Sequence, residues 1–274
     1  RTGFKWWALI IAVVFVISES VCVFCVPERP VKTDGSSTGI MDMFKALIHN
    51  DQAMTVVASI ILVYTSINIC GNLILYFFKF DVGNEGAYSV FAAVVFAAQV
   101  LVMMIVPALR RKFTKFELFI FGFIIQIAGF AMMLLLAVSG IYTSDNWYVF
   151  CLPGCMVYIG YGILNVIMTI FLSDSVDYGE VKNKTREESV IFSMQTFTVK
   201  LASGLAIFLA GIIVDVIKLD KNALVQSQST LNGLRMWMTI PSVILLIIGI
   251  IIFKKFYKLN EQKMNEIKAK LKLK

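Results

Sequence analysis

The sequence predicts an all-α membrane protein with seven transmembrane helices, and three observations carry that expectation. The 274 residues are 58% hydrophobic and 16% charged, with a mean hydropathy of +0.80, whereas a soluble globular chain is about half apolar and about a quarter charged. The apolar residues are gathered into seven runs, each near or above the ~18 to 20 residues that cross a hydrocarbon core of ~30 Å. A segment in lipid must satisfy its own backbone hydrogen bonds, and these runs are too long and too evenly apolar for the alternation of barrel strands, which leaves α-helices.

In chain order the runs predict helices over 6–26, 52–78, 87–109, 117–139, 148–172, 190–217 and 236–253. The first begins at Trp6, directly after Arg1-Thr2-Gly3-Phe4-Lys5, with no separate charged leader and no small-residue cleavage site. An opening without Met is expected of a piece that continues upstream. Residues 27–51 contain Pro27, Pro30, the stretch Gly35-Ser36-Ser37-Thr38-Gly39 and mixed charge, the marks of a solvated linker and a module boundary. Six spans then fill 52–253, a number that suits one half of a transporter built from two six-helix bundles, although no strong internal repeat is visible. Residues 254–274 carry eight lysines. They read as a basic tail beside anionic lipid, so the net charge of +7 is not a sign of nucleic acid.

The loops set the direction. One side holds 18 Lys and Arg, including Arg29, Lys32, Lys45, Arg110, Arg111, Lys112, Lys115, Lys182, Lys184 and Arg186, against six on the other; without the tail the ratio is ten to six. Positive loops face the cytoplasm, which places the chain's start outside and makes both the 27–51 linker and the C-terminal tail cytoplasmic. Cys22, Cys25, Cys70, Cys151 and Cys155 lie in or beside apolar runs, without the second pair or neighbouring histidine that a tetrahedral metal site needs. They are expected to be structural thiols, and no metal site or cofactor is expected. The single His49 offers no histidine-based triad, so a membrane enzyme lacks material.

Polar lines at steps of three and four mark helix faces turned away from lipid. One runs Ser189, Ser193, Thr196, Lys200, Ser203, with Gln195 at its flank; another Tyr158, Gly162, Asn165, Thr169, Ser173; a third Thr65, Asn68, Asn72, Tyr76. Helix packing alone accounts for many Ser, Thr and Asn stripes. The runs 87–109 and 117–139 hold little that is polar beyond Gln99 and Gln126 and are expected as outer or supporting helices. Lys200 lies ten residues into its run, ~15 Å deep at ~1.5 Å per residue, where snorkelling is hard. A charge there costs ~2.5 to 3.5 kcal/mol on insertion scales and calls for a carboxylate or a watery cavity. Of the 18 acidic residues only Glu19 lies well within an apolar run. Lys200 is therefore the foremost functional candidate.

Between the fifth and sixth spans stands Ser173-Asp174-Ser175-Val176-Asp177-Tyr178-Gly179-Glu180, followed by Gln195-Thr196-Phe197-Thr198-Val199-Lys200. On composition alone the first of these is an ordinary solvated loop. Together, with Asn50-Asp51-Gln52 opening a helix that ends Tyr76-Phe77-Phe78-Lys79-Phe80, and with Arg235-Met236-Trp237-Met238 through Phe253-Lys254-Lys255, the chain resembles the glycoside–pentoside–hexuronide:cation symporters, the melibiose-carrier family of the major facilitator superfamily.

The resemblance implies a twelve-helix fold of which this chain matches helices six to twelve: 1–26 as the last helix of the N-terminal bundle, 27–51 as the linker and 52–253 as the C-terminal bundle. It implies secondary transport of a sugar or glycoside coupled to Na+, Li+ or H+ in a bacterial-type inner membrane. The positions of Gln195, Thr196, Val199 and Lys200 would lie near the sugar or the ion-coupling network, with Lys200 paired to acidic residues of the first helices. Asn165 would join them by hydrogen-bonding sugar hydroxyls, and Tyr158 or Tyr161 would offer a ring face. Asp174, Asp177 and Tyr178 would belong to a cytoplasmic gate closed by salt bridges between bundles. The cation ligands are expected on helices outside this chain. Melibiose-type members carry Trp where Asn165 stands, so their sugar preference does not carry over. The helix count also raises an alternative, a seven-helix receptor or signalling protein.

Overall fold

The computed structural model describes residues 2–25, 48–183, 188–223 and 225–272. The chain divides into two compact units, Arg1–Gly39 and Ile40–Lys274. In the first, α1 (Thr2–Cys25) exposes its apolar side chains from Trp6 to Phe24, the surface of a helix suited to hydrocarbon. Glu19 and both of its cysteines are exposed as well. The linker expected over 27–51 falls, up to residue 47, outside the described residues.

The second unit is a helical bundle. It comprises α2 (Asp51–Tyr76) with a π-helical turn at Phe77–Asp81, α3 (Glu85–Leu109), α4 (Lys115–Ser139), a 3-10 turn at Trp147–Phe150, α5 (Cys151–Asn183), α6 (Glu188–Val216), α7 (Gln228–Phe256) and α8 (Glu261–Lys272). Among the described residues seven helices are long and apolar enough to cross a membrane, as the sequence predicts. Bounds for α2, α3, α4 and α6 agree with the expected spans to within two residues. Asn50, Asn84, Thr114 and Ser227 start α2, α3, α4 and α7 by accepting a hydrogen bond from a first-turn N–H, with Glu117 completing a capping box.

One expectation is corrected. The Asp174–Glu180 motif is not a loop: α5 continues in helix to Asn183, eleven residues past the expected end of its span. The basic segment after residue 253 is itself largely helical. The chain remains helical to Phe256, Leu259 is buried in the connection that follows, and α8 then packs on α5, burying Met264 and Ile267. Hydropathy detects only the part of a helix that lipid covers, so helical overhangs and a short amphipathic helix escape it.

Within this unit α2 is central and packs on α5, α6 and α7; α4 packs on α5 and α7, and α3 on α5. The contact between α4 and α5 is backbone to backbone, because Gly122 and Gly129 of α4 face Gly160 and Val157 of α5. One end of the bundle gathers Arg110, Arg111, Lys112, Lys115, Lys182, Lys254 and Lys255 and is called the basic end below. Its core stacks Phe116, Phe119, Phe171, Phe253 and Tyr257. At the opposite end the π-helical turn buries Phe77 and Phe78 together and brings Asp81 to Arg235 of α7 in a two-pronged ion pair of 2.7 Å on each prong. The Tyr142 ring lies 5.8 Å from that guanidinium; burial and the Asp81 carboxylate push its phenol above the ordinary range.

Candidate functional site

A polar strip of α2 carries Tyr64 and Asn68, both half-buried, and the exposed Asn72. An amide on a membrane helix needs a partner, and the turn below supplies one: Asn68 Nδ2 donates to the Tyr64 carbonyl and Asn72 Nδ2 to the Asn68 carbonyl, each at 2.7 Å. Their Oδ1 atoms are not used in these bonds. The expected line began at Thr65, which is 5% exposed and turned into the core. Tyr64 takes its place, one residue and about 100° around the helix.

On α5, Asn165 and Thr169 face that strip. Asn165 Nδ2 donates to Tyr64 Oη at 2.6 Å, and the Tyr64 and Tyr161 rings meet edge to face at 5.3 Å. Thr169 Oγ1 donates to the Asn165 carbonyl at 3.0 Å and accepts from Gln195 Nε2 of α6 at 3.1 Å. Hydrogen bonds thus join α2, α5 and α6 across one polar wall. Tyr158 instead lies against Phe96 of α3 at 5.2 Å, and Gly162 is pressed on Gln99 and Val102. These two belong to the α3 contact.

On α6, Gln195 and Val199 are half-buried beside α5, whereas Ser193, Thr196 and Lys200 are exposed. At ~100° per residue the last three share an arc of about 60°. The apolar Phe197, Leu201, Leu205 and Phe208 are exposed on a neighbouring arc. Lys200 stands twelve residues after Glu188, ~18 Å along α6. Among the described residues of this unit no carboxylate pairs with it. The structure therefore brings Asn165, Gln195, Thr196, Val199 and Lys200 to one side of the bundle. Sequence reasoning missed Tyr64, although its four-residue step to Asn68, repeated to Asn72 and Tyr76, is a visible signal.

The expected gate residues lie at the basic end of α5. Asp174 is turned into its own bundle, where it pairs with Lys115 of α4; the two side chains are 9% and 4% exposed. Its charge is answered there rather than held out for another bundle. Tyr178 Oη donates to Asp51 Oδ1 at 3.2 Å, and Lys182 Nζ donates to the same oxygen at 2.7 Å. Asp177 is half-buried and engaged as well. Cys70 is buried, Cys151 and Cys155 half-buried, and all three are free thiols.

The wall offers what hydroxyl-rich ligands need: amide acceptors and donors, a phenol and an ammonium on rigid helices. The family model described as MFS/sugar transport protein matches residues 1–261. The chain is 28% identical over 228 residues to the uncharacterized symporter YjmB of Bacillus subtilis, covering 83% of this chain and 48% of that protein. It is 26% identical over 242 residues to the raffinose carrier protein of Pediococcus pentosaceus, covering 88% and 37%. With the lactose permease of Leuconostoc lactis it shares 21% identity over 275 residues, covering 98% and 42%. The chain spans about half the length of the curated relatives it matches or somewhat less. These relatives are carriers, not enzymes, and none supports a seven-helix receptor.

Proposed function

This chain belongs to the MFS/sugar transport protein family, and we propose that it forms the C-terminal portion of a carrier that moves a sugar or glycoside across a membrane together with Na+, Li+ or H+. The observation that carries this reading is the polar wall, in which Tyr64, Asn165, Thr169 and Gln195 are bonded across three spans beside Lys200, which is unpaired among the described residues of its unit. Substrate would lie against Asn165, Gln195, Thr196 and Val199, with the amides meeting hydroxyls. Lys200 would organise carboxylates of the N-terminal helices, where the cation ligands are placed. A cation and a sugar that each favour the same closed arrangement couple their fluxes through differential binding, as the bundles rock about the midplane. The excess of Lys and Arg at the basic end favours that end as cytoplasmic, in a bacterial-type inner membrane, and Asp177 and Tyr178 would serve a gate there. The names of the raffinose carrier and lactose permease support oligosaccharides as first substrates to try.

The test is uptake of labelled lactose, raffinose, melibiose and a methyl glucuronide by the full-length protein, with sodium, lithium and proton gradients varied separately. Lys200→Leu is expected to abolish gradient-driven uptake while membrane insertion stays normal. Unchanged driven uptake in that variant rejects the role of Lys200.

A further inference from the structure

The polar strip of α2 does not stop at the wall. It continues through Asn68 and Asn72 to Tyr76, at the end of the bundle away from the basic end, and there it opens into a cavity of about 510 Å³ between α2, α6 and the loop after α6. We propose that this cavity is a second sugar site, an outer docking station that substrate occupies before it reaches the midplane wall; the inference rests on the sugar-transport reading and orientation given above.

The chemistry is that of a carbohydrate pocket in miniature. Its rim carries acceptors on Asn72 and Asp215, an amide on Asn222, an ammonium on Lys221 and the phenol of Tyr76, while α6 supplies an apolar floor through Ile207 and Val214. The size suits a mono- or disaccharide, and mixed donors and acceptors over an aliphatic floor suit a ring that is polar at its edge and apolar on its face. The Lys221 ammonium rests 5.7 Å from the Tyr76 ring, on an exposed side chain free to swing aside. The described residues of the loop bond among themselves. Lys218 closes α6 in the left-handed region at φ 54°, the Leu219 N–H returns to the Val214 carbonyl at 3.1 Å, and Gln226 and Asp220 bond each other at 2.5 and 3.3 Å. Gly211 leaves the floor open, since a Cβ built there meets nothing within 4 Å.

The experiment uses the full-length carrier in right-side-out and inside-out vesicles, with whichever labelled sugar of the four-member panel is carried best. Tyr76→Leu and Asp215→Ala remove contacts, and Gly211→Phe fills the floor in a place where the backbone has room. Each is expected to raise KM for entry from the outer face roughly fivefold to tenfold, the scale of one lost hydrogen bond or ring contact. KM from the inner face is expected to stay the same. An unchanged outer KM in all three variants, or an equal rise on both faces, overturns the docking station while leaving sugar transport intact. Failure of the unaltered carrier to move any sugar of the panel rejects the transport reading and this inference together.

Discussion

Lys115 and Asp174 bring opposite charges into a place with almost no solvent, the ammonium lying 5.4 Å from the Phe171 ring and 5.7 Å from that of Phe116. Desolvating two ions is offset here by their contact and by the ring faces. Removing one partner strands the other, so Lys115→Met is expected to cost ~3 to 5 kcal/mol, whereas Lys115→Met with Asp174→Leu should recover most of it. Thermal unfolding of the detergent-solubilised full-length protein checks this; equal losses in the single and double variants would refute it. Neither residue's role was legible in the sequence. Both stand at span edges among other charges, and nothing local says that one meets a side chain 59 positions away. Tyr64 was overlooked for a related reason: a phenol blends into an apolar run, and although its four-residue step to Asn68 is visible, its hydrogen bond to Asn165 is what places it in the wall. Lys200 was legible, because a lone charge deep in an apolar run is costly whatever surrounds it.

Among the elements, α4 shows how a helix with little polar content still shapes the wall. A Cβ at Gly160 would stand 2.6 Å from the Gly122 carbonyl oxygen and 2.8 Å from the Gln126 backbone nitrogen, both parts of the α4 backbone or its close contacts. Backbone cannot yield as a flexible side chain can, so Gly160→Ala must push α4 and α5 apart. The expected cost is ~1 to 3 kcal/mol, the range for overpacking. Because α5 carries Asn165 and Thr169 five and nine residues further on, transport should fall as well, although Gly160 itself is turned toward α4. Gly204→Ala provides the contrast: its Cβ meets nothing within 4 Å, and neither melting nor uptake should suffer. Equal behaviour of the two variants would contradict the seam. The sequence displayed the spans because burial in lipid demands long apolar runs. It hid the overhang of α5, the early start of α7 and the whole of α8, where helical hydrogen bonding continues through residues polar enough for water.

At the scale of the whole molecule, the described bundle has a seam of buried aromatic and aliphatic residues and one face that neither core nor lipid suits. On that face Asn68, Asn72, Thr196 and Lys200 are wholly or partly exposed at membrane depth. Lys200 alone costs ~2.5 to 3.5 kcal/mol at a bilayer centre without a counter-charge. A complete carrier would cover the face with its other bundle and a watery cavity. The same side chain is therefore expected to act with opposite sign in two settings. In the full-length protein Lys200→Leu would remove the proposed coupling charge, and driven uptake is expected to be lost. In the 274-residue chain expressed by itself, Lys200→Leu replaces an unmatched ion by an apolar group, so the monodisperse fraction in size-exclusion chromatography and the melting temperature in detergent should both rise, while the unaltered chain dimerises through this face or aggregates. A robust, monodisperse monomer with Lys200 in place, and no gain from the leucine, would mean that the ammonium is already satisfied within these helices, and the proposal that it reaches across to carboxylates of the other bundle would fall with it.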